Sequence, residues 1–253
     1  MKYFLQTLKE RNSLLYWFGW YNFALASILF LLIPFDSIEI SGVSRWLKPA
    51  KFYTTLWILV WTLGWLMQYL TNKKKVVIFT WLTILTMLPE NGLILMQAIR
   101  KTSSHFNISH YFDANVFMIM GICIGIFTLT VLFIFVAFFQ QKNFDISYAY
   151  LWGIRCGLFI FLLASVEGGY MISIMKHSIG GADGSPGLPL MNWSKQYGDL
   201  RIAHFLGVHA LQWLPLLGWL TEKKKFAIII ISILYLMISL TVFAIAILGK
   251  PLF

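Results

Sequence analysis

Seven stretches of about twenty predominantly apolar residues, separated by short polar turns, leave this chain few ways to fold. About twenty such residues in helical form cross a hydrocarbon core of roughly 30 Å. In lipid only helices and closed barrels satisfy their own backbone, and a barrel would alternate apolar with polar residues, which these segments do not. The chain reads as all-α, a polytopic membrane helix bundle of about seven transmembrane helices in one integral membrane domain, 1–253. The expected helices are 14–34, 52–70, 76–99, 114–139, 148–174, 200–220 and 226–248.

Composition excludes the main alternatives. With 59% hydrophobic and 12% charged residues, an ordinary soluble domain is ruled out. The net charge of +10 could suggest nucleic acid, but the lysines cluster at the ends of apolar segments and read as topology signals, so no nucleic-acid partner is expected. The two cysteines, Cys123 and Cys156, each lie inside an apolar segment and do not form a disulfide framework. The first apolar run is too long for a signal-peptide core and reads as a retained helix.

Lys73, Lys74 and Lys75 after the second helix, and Lys223, Lys224 and Lys225 after the sixth, belong on one side of the membrane. With the basic N-terminus they place that terminus inside and all five histidines, Glu90 and Glu167 toward the outer side. Helices two and six end alike, in Leu63, Gly64, Trp65, Leu66 and Leu217, Gly218, Trp219, Leu220, followed by Thr71 and Thr221 ahead of three lysines, with a four-residue gap in the match after Leu66. A parallel three-plus-one-plus-three repeat, as in some small transporters, would produce that echo.

Ionisable residues in apolar segments mark the candidate site, because they are costly at membrane depth and usually face an interior or a wet cavity. The run from Gly198 to Pro215 carries Arg201, His204, His209, Gln212 and Trp213 into the sixth helix. In the third, Pro89 and Gly92 flank Glu90 and Asn91 and predict a kink or break beside a carboxylate, with Gln97 on the same face. In the fifth, Glu167 precedes Gly168 and Gly169, which would let a backbone or ligand approach. Lys48 and Lys51 flank Pro49 at the second helix entrance and read as snorkelling anchors.

Three readings compete. In the leading one, Glu90, Glu167, His204 and His209, with His105 from a loop, hold zinc or iron in a membrane enzyme. Glu90, Glu167 and His209 would supply acid or base chemistry, while Gln97, Arg100, Arg201, Gln212 and Trp213 would hold a lipid-like or small anionic substrate. In the second, the same groups form a proton-coupled transporter or small-molecule binder. In the third, His204 or His209 ligates a haem, although a bis-histidine haem needs a partner on a facing helix. His204 and His209 lie five apart, about 140° around the helix, so they do not chelate one ion as an i, i+4 pair would.

The phrases WLKPAKF from Trp46, MQAIRKTSSHFN from Met96, DGSPGLP from Asp183 and DLRIAHFLGVHALQWLP from Asp199 resemble a family of bacterial multi-pass membrane proteins. The resemblance covers most of the chain and implies a bacterial inner membrane, with membrane lipids as neighbours, but brings no activity with it. A looser likeness is to the membrane hydrolases that include alkaline ceramidases, which have seven helices and serine, aspartate and histidine ligands around zinc. It would give Ser104, His105, Asp113, His204 and His209 ligand roles, although those enzymes carry a histidine pair four apart. A rhodopsin-like reading fails, because the seventh helix has no interior lysine for a Schiff base.

Overall fold

The computed structural model describes residues 2–184, 187–221 and 225–253, so Ser185 and Pro186 of the DGSPGLP phrase and Lys223 and Lys224 of the second lysine run lie outside the described residues. The described chain is all-α, with eight α-helices. Five are long and apolar enough to cross a membrane, as befits a multi-pass membrane protein: Ser13–Phe35, Lys73–Ile99, Tyr111–Gln140, Tyr148–Ser173 and Phe226–Ile247. The described chain falls into two compact units, Met1–Ile134 and Phe135–Phe253.

The first unit contains α1 (Lys2–Arg11), α2 (Ser13–Leu32), α3 (Leu47–Leu66), α4 (Lys73–Ile99) and most of α5 (Tyr111–Gln140). Helix α1 was read only as a basic terminal segment. It forms because Leu8, fully buried, reaches Gly64 of α3, while Phe4 stacks on Trp65 at 5.0 Å and Arg11 lies 3.8 Å over the same ring. Asn12 ends it and caps α2 by accepting from the Leu15 amide at 3.0 Å, while donating to Thr80 Oγ1 of α4 at 2.7 Å. Asn22 and Asn91, a similar distance further along α2 and α4, meet at 3.4 Å. These two helices therefore run parallel, with α3 antiparallel against α2 through Gly19 beside Trp61 and Leu15 beside Gly64.

Helix α3 runs Leu47–Leu66 where 52–70 was expected, so Lys48, Pro49 and Lys51 fall inside its first turns. Two further boundaries differ because polar residues can serve a helix's first turn. Helix α4 starts at Lys73, where Asn72 accepts from the Lys75 amide at 3.1 Å and the exposed lysines stay in water. Helix α5 starts at Tyr111 and takes Asp113 into its first turn, where the helix dipole favours an anion. Helix α4 continues through Pro89 without the break that was one of the two expectations there. Proline removes one backbone bond there, and membrane helices absorb such a loss through neighbouring helices and local adjustment.

The second unit contains α6 (Tyr148–Ser173), α7 (Leu200–Leu220) and α8 (Lys225–Ile247). Small residues bring α6 and α7 together antiparallel. A methyl on Gly153 would lie 2.4 Å from the Leu214 carbonyl oxygen, one on Gly157 2.9 Å from that of Ala210, and one on Gly218 2.6 Å from that of Ala149. Gly207 sits equally close to Ala164. The helices thus associate through backbone proximity, the mechanism open to helices whose surroundings are as apolar as their side chains. Helix α8 joins through Tyr235, which donates to the Leu206 carbonyl at 2.6 Å, and through Val242 against Ile202 and Ala203.

Each unit carries a two-residue antiparallel ladder between its first long helix and the next. In the first, β1 (Glu39–Ile40) pairs with β2 (Val43–Ser44); in the second, β3 (Ser178–Ile179) pairs with β4 (Gly198–Asp199). The second ladder packs on the end of α8, where Gly198 lies against Ala246 and Gly180 against Gly249. Trp193 adds contacts with Phe205 and Phe253. The long connection that follows the fifth expected helix is therefore a structured cap.

Candidate functional site

In the first unit the buried face of α4 presents Thr83, Thr86, Glu90, Asn91 and Gln97 in succession, the spacing that one side of a helix allows. Glu90 is 6% exposed, and its Oε2 has no hydrogen-bond partner. Beside it Asn91 Nδ2 donates weakly to Asn22 Oδ1, and Asn22, itself fully buried, donates to the Phe18 carbonyl at 2.6 Å. Lys48 from the first turn of α3 and Cys123 from α5 lie within electrostatic range of the Glu90 carboxyl. An unpartnered carboxylate oxygen at this burial carries a desolvation cost that an ordinary packing role does not repay.

In the second unit His204 Nδ1 lies 2.7 Å from the Ala164 carbonyl oxygen. A carbonyl only accepts, so Nδ1 carries the proton and Nε2 is left with a lone pair. His209 Nδ1 meets Gln212 Oε1 at 3.1 Å and follows the same pattern, with the Phe205 ring 4.3 Å away. Gly168 makes room for His204, since a methyl there would lie 3.1 Å from Cε1. Glu167, half-buried, has an enclosed Oε2 without a partner. Trp213, expected to bind substrate, is 55% exposed.

The two arginines assigned to an anionic group already hold carboxylates. Arg100 donates to Asp113 and to Gln97, whose Nε2 donates to the same Asp113 oxygen at 2.9 Å, so all three close the turn between α4 and α5. Arg201 donates to Asp199 at 2.6 and 2.9 Å and to the Asn192 carbonyl. Asp199 is 1% exposed, accepts from the Ser194 amide at 2.8 Å and has His177 at 4.0 Å. Burial alone would raise its carboxyl, but Arg201, the Ser194 amide and His177 outweigh burial and hold it below the usual range. In the first unit Asp36 plays the same part, accepting from the Ile38 amide, Arg45 and the Trp46 indole, which hold its carboxyl low.

The residues present do not fit a resident metal with three protein ligands. Among the described residues no group of three or more His, Cys, Asp or Glu side chains could hold an ion. Asp113 is engaged as above, and His105 pairs with neighbouring Ser104 at 3.0 Å and packs near Phe52. For a haem, the lone pairs of His204 and His209 are suited, but α6 and α8 offer no second histidine within that unit. Sequence reasoning singled out Glu90 and Glu167 and named Asn91 beside Glu90. It missed the pairing of Asn91 with Asn22, although Asn22 is the only amide in α2. It also missed the Asp36, Arg45 and Trp46 cluster. No protein-family model matches the chain, and neither a curated protein nor a solved structure is similar enough to lend it a function.

Proposed function

We propose that the chain is a proton- or ion-coupled transporter of a small molecule in the bacterial inner membrane. The observation that carries this reading is Glu90, a carboxylate buried in the first unit with one oxygen unpartnered, on a helix that tolerates a proline beside it. Such a group serves a function that needs charge to arrive and leave, which is the usual role of an acid at membrane depth. Glu167 in the second unit has the same unpartnered oxygen.

The internal echo supports a transporter built from a repeat of three helices, with α5 between the copies. In each unit the glycine of the Leu-Gly-Trp-Leu ending packs against the start of the preceding long helix, Gly64 on Leu15 and Gly218 on Ala149. Each unit also locks the ladder before its middle helix with a carboxylate and an arginine, Asp36 with Arg45 and Asp199 with Arg201. The metal-dependent enzyme reading lacks such support, since its ligands are not gathered among the described residues.

The test is proton movement in proteoliposomes containing a pH-sensitive dye, challenged with sugars, amino acids, amines and organic acids in turn. The expected result is a solute-driven pH change that Glu90→Gln abolishes and Glu167→Gln weakens. Solute movement that proceeds without proton or cation movement, or coupled flux that survives Glu90→Gln, overturns the reading.

A further inference from the structure

We infer that the buried Glu90 carboxylate of the first unit binds a single monovalent cation, either an alkali ion or a small ammonium group. This deepens the coupled-transport reading and rests on its assignment of Glu90. The acceptors fit that ligand. Glu90 Oε2 has no partner, and Asn22 Oδ1 receives only the long 3.4 Å bond from Asn91. Both side chains are more than nine-tenths buried, so a positive charge entering here meets oxygen atoms that water does not already solvate.

The charge count selects the valence. One carboxylate with amide oxygens balances one positive charge, whereas calcium takes about 6–8 oxygen ligands and commonly several carboxylates. No such acidic cluster exists among the described residues. Lys48 supplies the complement. Its ammonium, within electrostatic range of Glu90 from the first turn of α3, acts as a tethered positive charge that opposes the incoming cation and takes over when it leaves. Lys48→Ala therefore tightens cation binding.

Cys123 on α5, within range of the same carboxyl, provides a native reporter. In purified full-length protein carrying Cys156→Ser, the rate of Cys123 modification by methyl methanethiosulfonate is measured in sodium, potassium or methylammonium chloride. N-methylglucamine chloride, whose cation is bulky, is the ionic-strength control. A bound cation offsets the Glu90 charge that opposes the nearby thiolate, so modification is expected to accelerate severalfold and saturably, half-maximally at the cation's Kd. The acceleration should vanish in Glu90→Gln and weaken in Asn22→Ala, which keeps the test decisive if the first variant does not fold. Acceleration by sodium or potassium alone identifies an alkali site, by methylammonium alone an ammonium site, and by all three a site that reads charge only. A rate that no cation changes, equal acceleration by N-methylglucamine, or acceleration that persists without Glu90 overturns the inference. If cations leave the rate unchanged while solute-driven proton flux still requires Glu90, the cation inference falls alone; if they accelerate it while flux ignores Glu90, the coupling reading falls alone.

Discussion

Gly153→Ala adds one methyl group to the tightest part of the α6–α7 seam, and the structure sets its cost. The new carbon would sit 2.4 Å from the Leu214 carbonyl oxygen and 3.1 Å from Pro215 Cα, about 1 Å short of ordinary contact with a backbone that has no rotamer to change. Helices α6 and α7 must part, and a gap of about 0.5–1 Å already forfeits a quarter to a half of each dispersion contact along the seam. Overpacking of this kind costs about 1–3 kcal/mol. Alanine also gains up to about 1 kcal/mol of helix propensity over glycine, which obscures the result unless it is cancelled. Gly121→Ala and Gly125→Ala on α5 provide that control, because a methyl at either position meets nothing within 4 Å. The difference between Gly153→Ala and these controls is then the packing cost alone. At about 2–4 °C per kcal/mol for a chain of this size it is readable by thermal unfolding of detergent-solubilised protein. Gly153→Ala as stable as Gly121→Ala would refute the account of the seam.

Three further outcomes follow from side chains outside the apolar spans or at their edges. Asp199→Asn removes charge-assisted bonds to Arg201 and is expected to loosen the cap at a cost of about 1–3 kcal/mol, checked by limited proteolysis between α6 and α7. The Asp199 carboxyl is held low in the folded chain, so its stabilisation is fully present above the unfolded value of about 3.9 and is lost as pH falls through the lower folded value. Acid should therefore open the cap in the wild type and leave Asp199→Asn unchanged across the same range. Arg11→Gln gives up the cation–π contact with Trp65 and the bond to its carbonyl, about 0.5–2 kcal/mol, and should speed tryptic cleavage after Lys9.

The helical class was legible because the hydrophobic runs are long and uninterrupted, and most helix boundaries lie within a few residues of the structure's. The misses have local causes. The periodicity of α1 is carried by only a few apolar residues, and its partners Gly64 and Trp65 are more than fifty positions away. Lysines at the start of α4 resemble a loop until Asn72 is seen as a cap. For the site, chemical type pointed to Glu90 and Glu167, since few acids occur in apolar segments. Type could not show that Arg100 and Arg201 were already held by Asp113 and Asp199, because such pairing depends on turns whose geometry the residues alone do not specify. The same limit applied to His204 and His209, whose Nδ1 protons are fixed by Ala164 and Gln212.

The most direct test of the central claim is an infrared titration of the carboxyl region, comparing wild-type protein in lipid with Glu90→Gln. If Glu90 takes up and releases protons, the wild type will show a protonated-carboxyl band that changes with pH, shifts in deuterated water and is missing from the variant. Identical pH-dependent spectra in the two proteins would mean that Glu90 does not exchange protons, and the claim that Glu90 couples transport to protons would be contradicted.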